Sequence, residues 1–146
     1  MENKVSQQEM ATLPYIIAVD FDGTLVEDAF PAIGAPKEEV WADMVAAQES
    51  GAKIILWTSR DNDNLREAVE FCTARGFHFD AINDNLDECK LLFNNSTRKV
   101  YANEYWDDKA VRCYCIHEDS PFLRQQLASP EARQAAIDTI YGESIL

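Results

Sequence analysis

Short apolar runs alternate along the chain with segments whose apolar residues follow a helical spacing. Residues 15–21 and 53–57 are YIIAVDF and KIILW, and such continuous apolar runs predict strands that are buried on both faces of a parallel sheet. Residues 77–82 predict a third strand, a fourth is predicted within residues 100–106, and residues 112–116 predict a fifth. The chain therefore alternates predicted strands with predicted helices.

Two helices are predicted between the first three strands. Residues 36–50 carry an apolar stripe at helical spacing, and Gly51 ends this helix. A second helix begins at Asn64, which forms a capping box with Glu67 three residues later, and it ends at Gly76.

The remaining segments carry weaker signals. Residues 1–12 are polar and lack periodicity, which predicts a flexible N-terminal tail. Residues 83–98 predict a short helix between two polar loops. A serine precedes both Pro121 and Pro130, and each Ser-Pro pair predicts the start of a helix.

Strands that alternate with helices predict an open, mainly parallel sheet flanked by helices, which is a three-layer α/β fold with right-handed crossovers. The length of 146 residues fits one domain, which we expect to span residues 13–146. In such folds, ligands bind beyond the carboxyl ends of the strands. The side chains that follow each strand are therefore the first candidates for function.

The chain is strongly acidic, with 26 Asp and Glu residues against 13 Lys and Arg residues and a net charge of −13. A surplus of this size opposes contact with the phosphate backbone of nucleic acids and with anionic lipid. The longest uncharged apolar stretch near the start, residues 13–19, is far shorter than the ~20 residues needed to cross a bilayer. We therefore expect no nucleic-acid partner and no membrane partner.

Four cysteines stand at positions 72, 89, 113 and 115. Nothing at the N-terminus resembles a signal peptide, so we expect reduced thiols and a cytoplasmic protein. Cys113 and Cys115 precede His117, which makes zinc binding one interpretation. Their one-residue spacing on the predicted fifth strand favours the other, in which both thiols pack on one buried face.

Pairs of reactive side chains follow three of the predicted strands. The pairs are Asp20 and Asp22 after the first strand, Thr58 and Ser59 after the second, and Asp107 and Asp108 after the fourth. Because the carboxyl ends of parallel strands meet at one edge of a sheet, we expect these pairs to converge. Four converging carboxylates repel one another unless a cation neutralises them, and oxygen-only ligands favour a hard divalent ion such as Mg2+.

Four segments in this order resemble the four motifs of the haloacid dehalogenase-like (HAD) hydrolase superfamily. They are DFDGTL at 20–25, ILWTSR at 55–60, Lys99, and YWDD at 105–108. The stretches FPAIGAP at 30–36 and RKVYA at 98–102 resemble the small members that have no cap domain. The resemblance implies a Rossmann-like, HAD-like fold with no full cap domain.

The resemblance also implies a role for each aspartate. Asp20 would be the nucleophile that forms an aspartyl-phosphate, and Asp22 would protonate the leaving alcohol and then activate water. Mg2+ would be bound by the carboxylates of Asp20 and Asp107 and by the backbone carbonyl of Asp22. Asp108 would support this site or replace one of its ligands.

Four further residues would contact the substrate if the resemblance holds. Thr58 would donate a hydrogen bond to the phosphoryl oxygens, with Ser59 beside it at the end of the same strand. Lys99 would hold the nucleophile and the phosphate by charge. Arg60 is a candidate for a second phosphate contact, although an arginine at the start of a helical segment is more often exposed or paired with a neighbouring acid.

Together, these expectations describe a Mg2+-dependent phosphatase that hydrolyses a phosphomonoester. We expect a small phosphorylated substrate, preferably a sugar or nucleotide monophosphate, in a pocket that a homo-oligomer completes. Two alternatives stay open. One is a HAD-like binding or regulatory module with little turnover, and the other is a phosphotransferase that uses a second alcohol in place of water.

Overall fold

The computed structural model describes residues 4–113 and 129–141. The chain divides into two compact units, Met1–Asp108 and Lys109–Leu146. Within the described ranges, the first unit holds a four-stranded sheet and the helices around it, and the second unit holds one long helix.

A parallel sheet forms the centre of the first unit. Its strands are β1 (Ile16–Val19), β2 (Lys53–Leu56), β3 (Ala81–Ile82) and β4 (Glu104–Trp106). They lie in the order β3-β2-β1-β4, and each neighbouring pair is parallel. Val19 at the end of β1 pairs with both Leu56 and Trp106. The carboxyl ends of β1, β2 and β4 are therefore level with one another.

Helices cover both faces of this sheet. They are α2 (Glu38–Glu49), α3 (Asn62–Ala74) and α4 (Asp87–Phe93). The single turn α1 (Gln7–Met10) precedes β1 and buries no residue, and α5 (Pro130–Tyr141) belongs to the second unit. Ile17 packs in one core cluster with Trp41 of α2 and Cys72 of α3. Ile16 packs in a second cluster with Cys89 of α4. Because successive side chains of a strand point to opposite faces, β1 is buried on both sides, and the predicted three-layer, Rossmann-like α/β arrangement is confirmed.

Asn103 aligns β4 with β1. Its side-chain Oδ1 accepts the N–H of Ile16 at 2.8 Å, and its own backbone N–H donates to the Ile16 carbonyl at 2.8 Å. At the other end of the pair, the N–H of Asp20 donates to the Trp106 carbonyl at 2.9 Å. These bonds bring the loop after β1 beside the loop after β4.

Two predicted elements differ from those observed. β3 is limited to Ala81–Ile82, because Phe77 packs its ring edge-to-face on Trp41 in the core instead of joining the sheet. The predicted capping box of Asn64 is wrong, because α3 begins two residues earlier and the N–H of Leu65 already donates to the carbonyl of Asp61. The short helix predicted within residues 83–98 is confirmed as α4.

The outer segments add detail to the predictions. The tail predicted over residues 1–12 contains one helical turn, α1, with a capping box between Ser6 and Glu9. The helix predicted at Pro130 is confirmed. The helix predicted near Pro121 and most of the fifth strand, with Cys115 and His117, lie outside the described residues. Cys113 is exposed, so the prediction that it packs in the core is wrong.

The connections within residues 4–113 contain no cap domain. A loop links β1 to α2, and α3 alone occupies the crossover between β2 and β3 before a short loop. The absence of a full cap agrees with the prediction. Across the two described ranges, every helix is too short or too polar to reach from one side of a bilayer to the other.

Candidate active site

Three carboxylates meet at the carboxyl edge of the sheet. Asp20 directly follows β1, and Asp107 and Asp108 follow the neighbouring strand β4. One carboxylate oxygen from each residue lies within 4.8 Å of the other two. Asp20 is half-buried, whereas Asp107 and Asp108 are exposed. We call these three residues the carboxylate cluster; the convergence predicted from the parallel strand order is observed for them.

The surroundings of Asp20 disfavour its ionised form. Burial, with smaller contributions from the charges of Asp107 and Asp108, raises the pKa of Asp20 to about 6. Hydrogen bonds from the Phe21 backbone and the Thr24 hydroxyl act in the opposite direction and lower this pKa. At neutral pH the cluster therefore concentrates negative charge, and a divalent cation would relieve the repulsion.

Thr24 links two members of the cluster, and the sequence analysis did not identify it. Its hydroxyl donates to Asp20 Oδ2 at 3.2 Å and accepts the backbone N–H of Asp108 at 3.0 Å. The side chain is almost buried, with 7% of the residue exposed. The sequence feature that could have identified Thr24 is its position four residues after Asp20. The segment between them forms a tight turn, in which the N–H of Leu25 donates to the Phe21 carbonyl at 2.9 Å.

Gly23 lets this turn approach Asp108 closely. Its φ of +87° lies in the left-handed region that favours glycine. A Cβ atom at this position would lie only 2.6 Å from Asp108 Cγ. The backbone conformation therefore favours glycine here, and any other side chain would also displace the carboxylate of Asp108.

Asp22 does not join the carboxylate cluster, because Arg60 holds its side chain. Arg60 Nε donates to Asp22 Oδ2 at 2.7 Å, and Nη2 donates to Oδ1 at 2.8 Å. The Arg60 side chain is 1% exposed and that of Asp22 is 17% exposed. This two-bond pair, the Asp22–Arg60 clamp, is a bidentate ion pair that is largely shielded from water.

Arg60 also ties two other segments to the clamp. It donates to the carbonyls of Pro31 and Ala32 in the loop after β1, at 3.2 and 2.9 Å, and to the carbonyl of Asn64 in α3 at 3.3 Å. With the two bonds to Asp22, all five N–H donors of the guanidinium group have protein acceptors. This pairing opposes the predicted contact of Arg60 with substrate phosphate, since every N–H donor of its guanidinium already has a protein acceptor.

Thr58 and Ser59 lie at the end of β2, beside the end of β1. The backbone N–H of Thr58 donates to Asn83 Oδ1 at 2.8 Å, and its Oγ1 accepts the backbone N–H of Arg60 at 3.1 Å. Because the Thr58 oxygen acts as acceptor in that bond, its O–H group is left to donate. Ser59 is exposed.

Two lysines are relevant to the site, the predicted Lys99 and a second one, Lys37. Lys99 is exposed, and its ammonium group lies 5.1 Å from the centroid of the Tyr105 ring. Among the described residues it forms no ion pair with an acid. Lys37, which the sequence analysis did not identify, donates from Nζ to the Gly23 carbonyl at 2.6 Å. It lines a cavity of about 350 Å³ together with Asp107 and Asp108, so a cation stands beside the cluster.

Comparison with known proteins adds one relative. No family model matches this chain, and no curated protein matches it. A solved structure of a conserved protein from Bacteroides thetaiotaomicron is 38% identical in sequence, with a TM-score of 0.59. The match covers 66% of this chain and 77% of the Bacteroides chain.

Proposed function

This chain belongs to the same family as the conserved Bacteroides thetaiotaomicron protein, and we propose that it is a Mg2+-dependent phosphatase of the HAD-like superfamily. The observation that carries the proposal is the carboxylate cluster, in which Asp20, Asp107 and Asp108 approach within 4.8 Å at the carboxyl edge of a parallel sheet. The four segments that resemble the HAD motifs support the same assignment.

The donor set fits a hard divalent cation. Each member of the cluster offers carboxylate oxygen, which is the ligand type that Mg2+ prefers. Burial is the main cause of the raised pKa of Asp20, and the charges of Asp107 and Asp108 add a smaller part that a cation would remove. Asp20 and Asp107 would hold the ion, with Asp108 in support. A bound Mg2+ would lower the electrostatic barrier between a carboxylate nucleophile and an anionic phosphoryl group.

Asp20 is proposed as the nucleophile. One of its carboxylate oxygens attacks phosphorus and forms a new P–O bond, while the bond from phosphorus to the leaving oxygen breaks. The hydroxyl of Thr24 donates to Asp20 Oδ2 and holds this carboxylate in place.

Hydrolysis of the aspartyl-phosphate then needs a base. Water attacks phosphorus, the P–O bond to Asp20 breaks, and the proton of water is accepted by a neighbouring group. Asp22 is proposed for that role, two residues from the nucleophile. Each of its oxygens accepts one bond from Arg60, and a carboxylate offers about four lone-pair sites, so Asp22 keeps the capacity to accept a proton.

Thr58 is proposed to bind the phosphoryl oxygens through its O–H group, with Ser59 beside it. Lys99 stays a predicted phosphate contact, which requires its ammonium group to leave the Tyr105 ring. Lys37, beside Asp107 and Asp108, offers a second cation. The site has no cap among residues 4–113, so we propose a small phosphorylated substrate whose pocket a second subunit completes. We also propose a cytoplasmic location.

The test is phosphate release from 4-nitrophenyl phosphate and from a panel of sugar and nucleotide monophosphates. Each substrate is assayed with Mg2+ and with EDTA. We expect release by the wild type with Mg2+ only, and none by Asp20→Asn. Asp63→Asn is the matched control, because Asp63 is an exposed aspartate, with 82% of its side chain accessible, that pairs only with Arg66 among the described residues.

A binding module is the second candidate function, since the Asp22–Arg60 clamp holds a proposed proton-transfer group away from the cluster. Under that alternative, Mg2+ raises the melting temperature of the folded protein by mass action while no substrate is turned over. Loss of that shift in Asp107→Ala, without any phosphate release by the wild type, would support the binding module over the phosphatase.

A further inference from the structure

Asn83 extends the contact between β2 and β3 beyond the end of both strands. Leu56 of β2 pairs with Ile82 of β3, and the backbone N–H of Asn83 donates to the Leu56 carbonyl at 2.7 Å. If this parallel ladder continued, the N–H of Thr58 would donate next to the backbone carbonyl of Asn83. It donates instead to the side-chain Oδ1 of Asn83, at 2.8 Å. A side-chain oxygen therefore replaces the last carbonyl of the ladder.

The backbone conformation of Asn83 explains this replacement. Its φ is +50°, which lies in the left-handed region, so the chain leaves the extended conformation and the ladder of backbone bonds stops. Asparagine adopts this region more readily than most residues, and its amide also supplies an oxygen that can accept a hydrogen bond. One residue therefore ends β3 and holds the chain that follows β2.

Three hydrogen bonds join Asn83, Thr58 and Arg60 in a closed ring. Asn83 Oδ1 accepts the Thr58 N–H at 2.8 Å, and Thr58 Oγ1 accepts the backbone N–H of Arg60 at 3.1 Å. Asn83 Nδ2 donates to the Arg60 carbonyl at 3.4 Å and closes the ring. The first bond fixes the backbone of Thr58, and the second fixes its side chain. The O–H group of Thr58 is not used in the ring and is left to donate.

Given the proposed phosphatase function, on which this inference rests, we infer that Asn83 is a positioning residue for Thr58. Its Oδ1 fixes the place at which the Thr58 O–H group meets a phosphoryl oxygen. None of the four segments that resemble the HAD motifs contains Asn83. The residue after β3 therefore serves the reaction through the residue after β2, without touching the substrate itself.

A double-mutant cycle tests this inference, with kcat/KM for 4-nitrophenyl phosphate and Mg2+ as the readout. Loss of a donor to a reacting group costs about 10²-fold or more, which we expect for Thr58→Ala. Asn83→Gly removes the side chain, while glycine keeps the positive φ without strain. We expect it to lose at least about tenfold, because a misplaced group costs up to ~10²-fold.

The double variant gives the decisive value. If Asn83 acts through the Thr58 hydroxyl, its loss has no further effect once that hydroxyl is absent, so kcat/KM stays within about threefold of Thr58→Ala. Losses that multiply would mean that Asn83 acts independently of Thr58, and would overturn the inference while leaving the phosphatase intact. Wild-type activity in either single variant would overturn it as well. No phosphate release by the wild type would overturn the proposed function and this inference with it.

Asn94→Gly is the matched control. Asn94 is exposed at the end of α4 and has a φ of +53°, so its replacement makes the same chemical change in the same backbone conformation. We expect wild-type kcat/KM for this variant. A loss equal to that of Asn83→Gly would mean that the added glycine causes the effect, and would overturn the inference.

Asn83→Asp separates positioning from direct contact with phosphate, and it stands even where Asn83→Gly does not fold. Aspartate has nearly the same shape, tolerates the left-handed region and keeps an oxygen that accepts the Thr58 N–H. We therefore expect kcat/KM within about tenfold of the wild type, since a misplaced group would cost up to ~10²-fold. A loss as large as that of Thr58→Ala would mean that the Asn83 amide N–H contacts the substrate, and would overturn the inference.

Discussion

Asp20 and Asp22 lie two residues apart in one turn, but their carboxylates have opposite electrostatic surroundings. Asp20 is half-buried beside Asp107 and Asp108, and its pKa is raised to about 6. Asp22 is paired through both oxygens with a buried arginine. One carboxylate lies among like charges, and the other is matched by an opposite charge.

This difference indicates which carboxylate has a structural partner and which suits a ligand. The clamp around Asp22 is complete within the fold, since Arg60 joins Asp22, the loop after β1 and the start of α3. The carboxylate cluster carries repulsion that a divalent cation would relieve. The same six-residue motif, DFDGTL, thus contributes Asp20 to the carboxylate cluster, and Asp22 both to the clamp and to the proposed hydrolysis step.

Substitution of Arg60 is the strongest test of the difference between Asp20 and Asp22, because it removes the partner of Asp22. Arg60→Met leaves Asp22 as a shielded charge without its partner, and breaking a buried ion pair in this way costs about 3–5 kcal/mol. We expect a loss of that size in the free energy of unfolding, measured by urea denaturation. The control Arg66→Met removes an arginine whose pairs with Asp63 and Glu70 are exposed, and we expect a change below about 1 kcal/mol. Equal effects of the two substitutions would contradict the clamp.

Glycine substitutions test how closely the turn after Asp20 approaches Asp108 of the carboxylate cluster. Gly23 and Gly76 share a φ of +87°, but only at Gly23 would a Cβ meet Asp108. Gly76→Ala is expected to cost about 1–2 kcal/mol from backbone strain, and Gly23→Ala more than this, because the Asp108 side chain must also shift. Urea denaturation measures both. A Gly23→Ala variant as stable as Gly76→Ala would mean that the approach to Asp108 is not tight.

The pH dependence of stability gives the smallest effect. The pKa of Asp20 is raised to about 6 in the folded protein, above its ordinary value near 4. The folded state therefore binds more protons between those values, and the stability that this contributes at low pH is lost as the pH rises through about 6. In EDTA, we expect the wild type to lose stability relative to Asp20→Asn between about pH 4 and pH 7.

The control for that comparison is Asp63→Asn, which removes one exposed charge and should follow the wild-type curve. Unfolding free energies are measured by urea denaturation across the same pH range. Parallel curves for the wild type and Asp20→Asn would show that Asp20 does not titrate abnormally.

The sheet was predictable because each of its central strands is a continuous apolar run in the sequence. Residues such as Ile17 and Ile55 are buried on opposite faces of the sheet, and runs of this kind are typical of parallel strands. β3 was predicted too long, because the apolar Phe77 and Phe79 pack in the core without strand pairing. Burial alone does not distinguish a strand from an extended loop that packs beneath a helix.

The cluster was predictable from strand ends, whereas the clamp was not. Asp20, Asp107 and Asp108 each follow a strand, so parallel order alone brings them together. The partners of Arg60 include the carbonyls of Pro31 and Ala32, which reach it only because the loop after β1 folds back, with a bridge between Val26 and Pro36. A sequence does not show which backbone carbonyls will lie near a given side chain. The pairing of every Arg60 N–H donor within the protein therefore could not be predicted.

The most direct test of the account is the detection of phosphorylated Asp20. Asp22→Asn is mixed with 4-nitrophenyl phosphate and Mg2+, quenched in acid and analysed by mass spectrometry, with the modified residue located by peptide sequencing. We predict that one phosphoryl group accumulates on Asp20, because the base for its hydrolysis is missing, and that Asp20→Asn carries none. Phosphate release by the wild type, with no phosphoryl group on Asp20 in either the wild type or Asp22→Asn, would contradict the account.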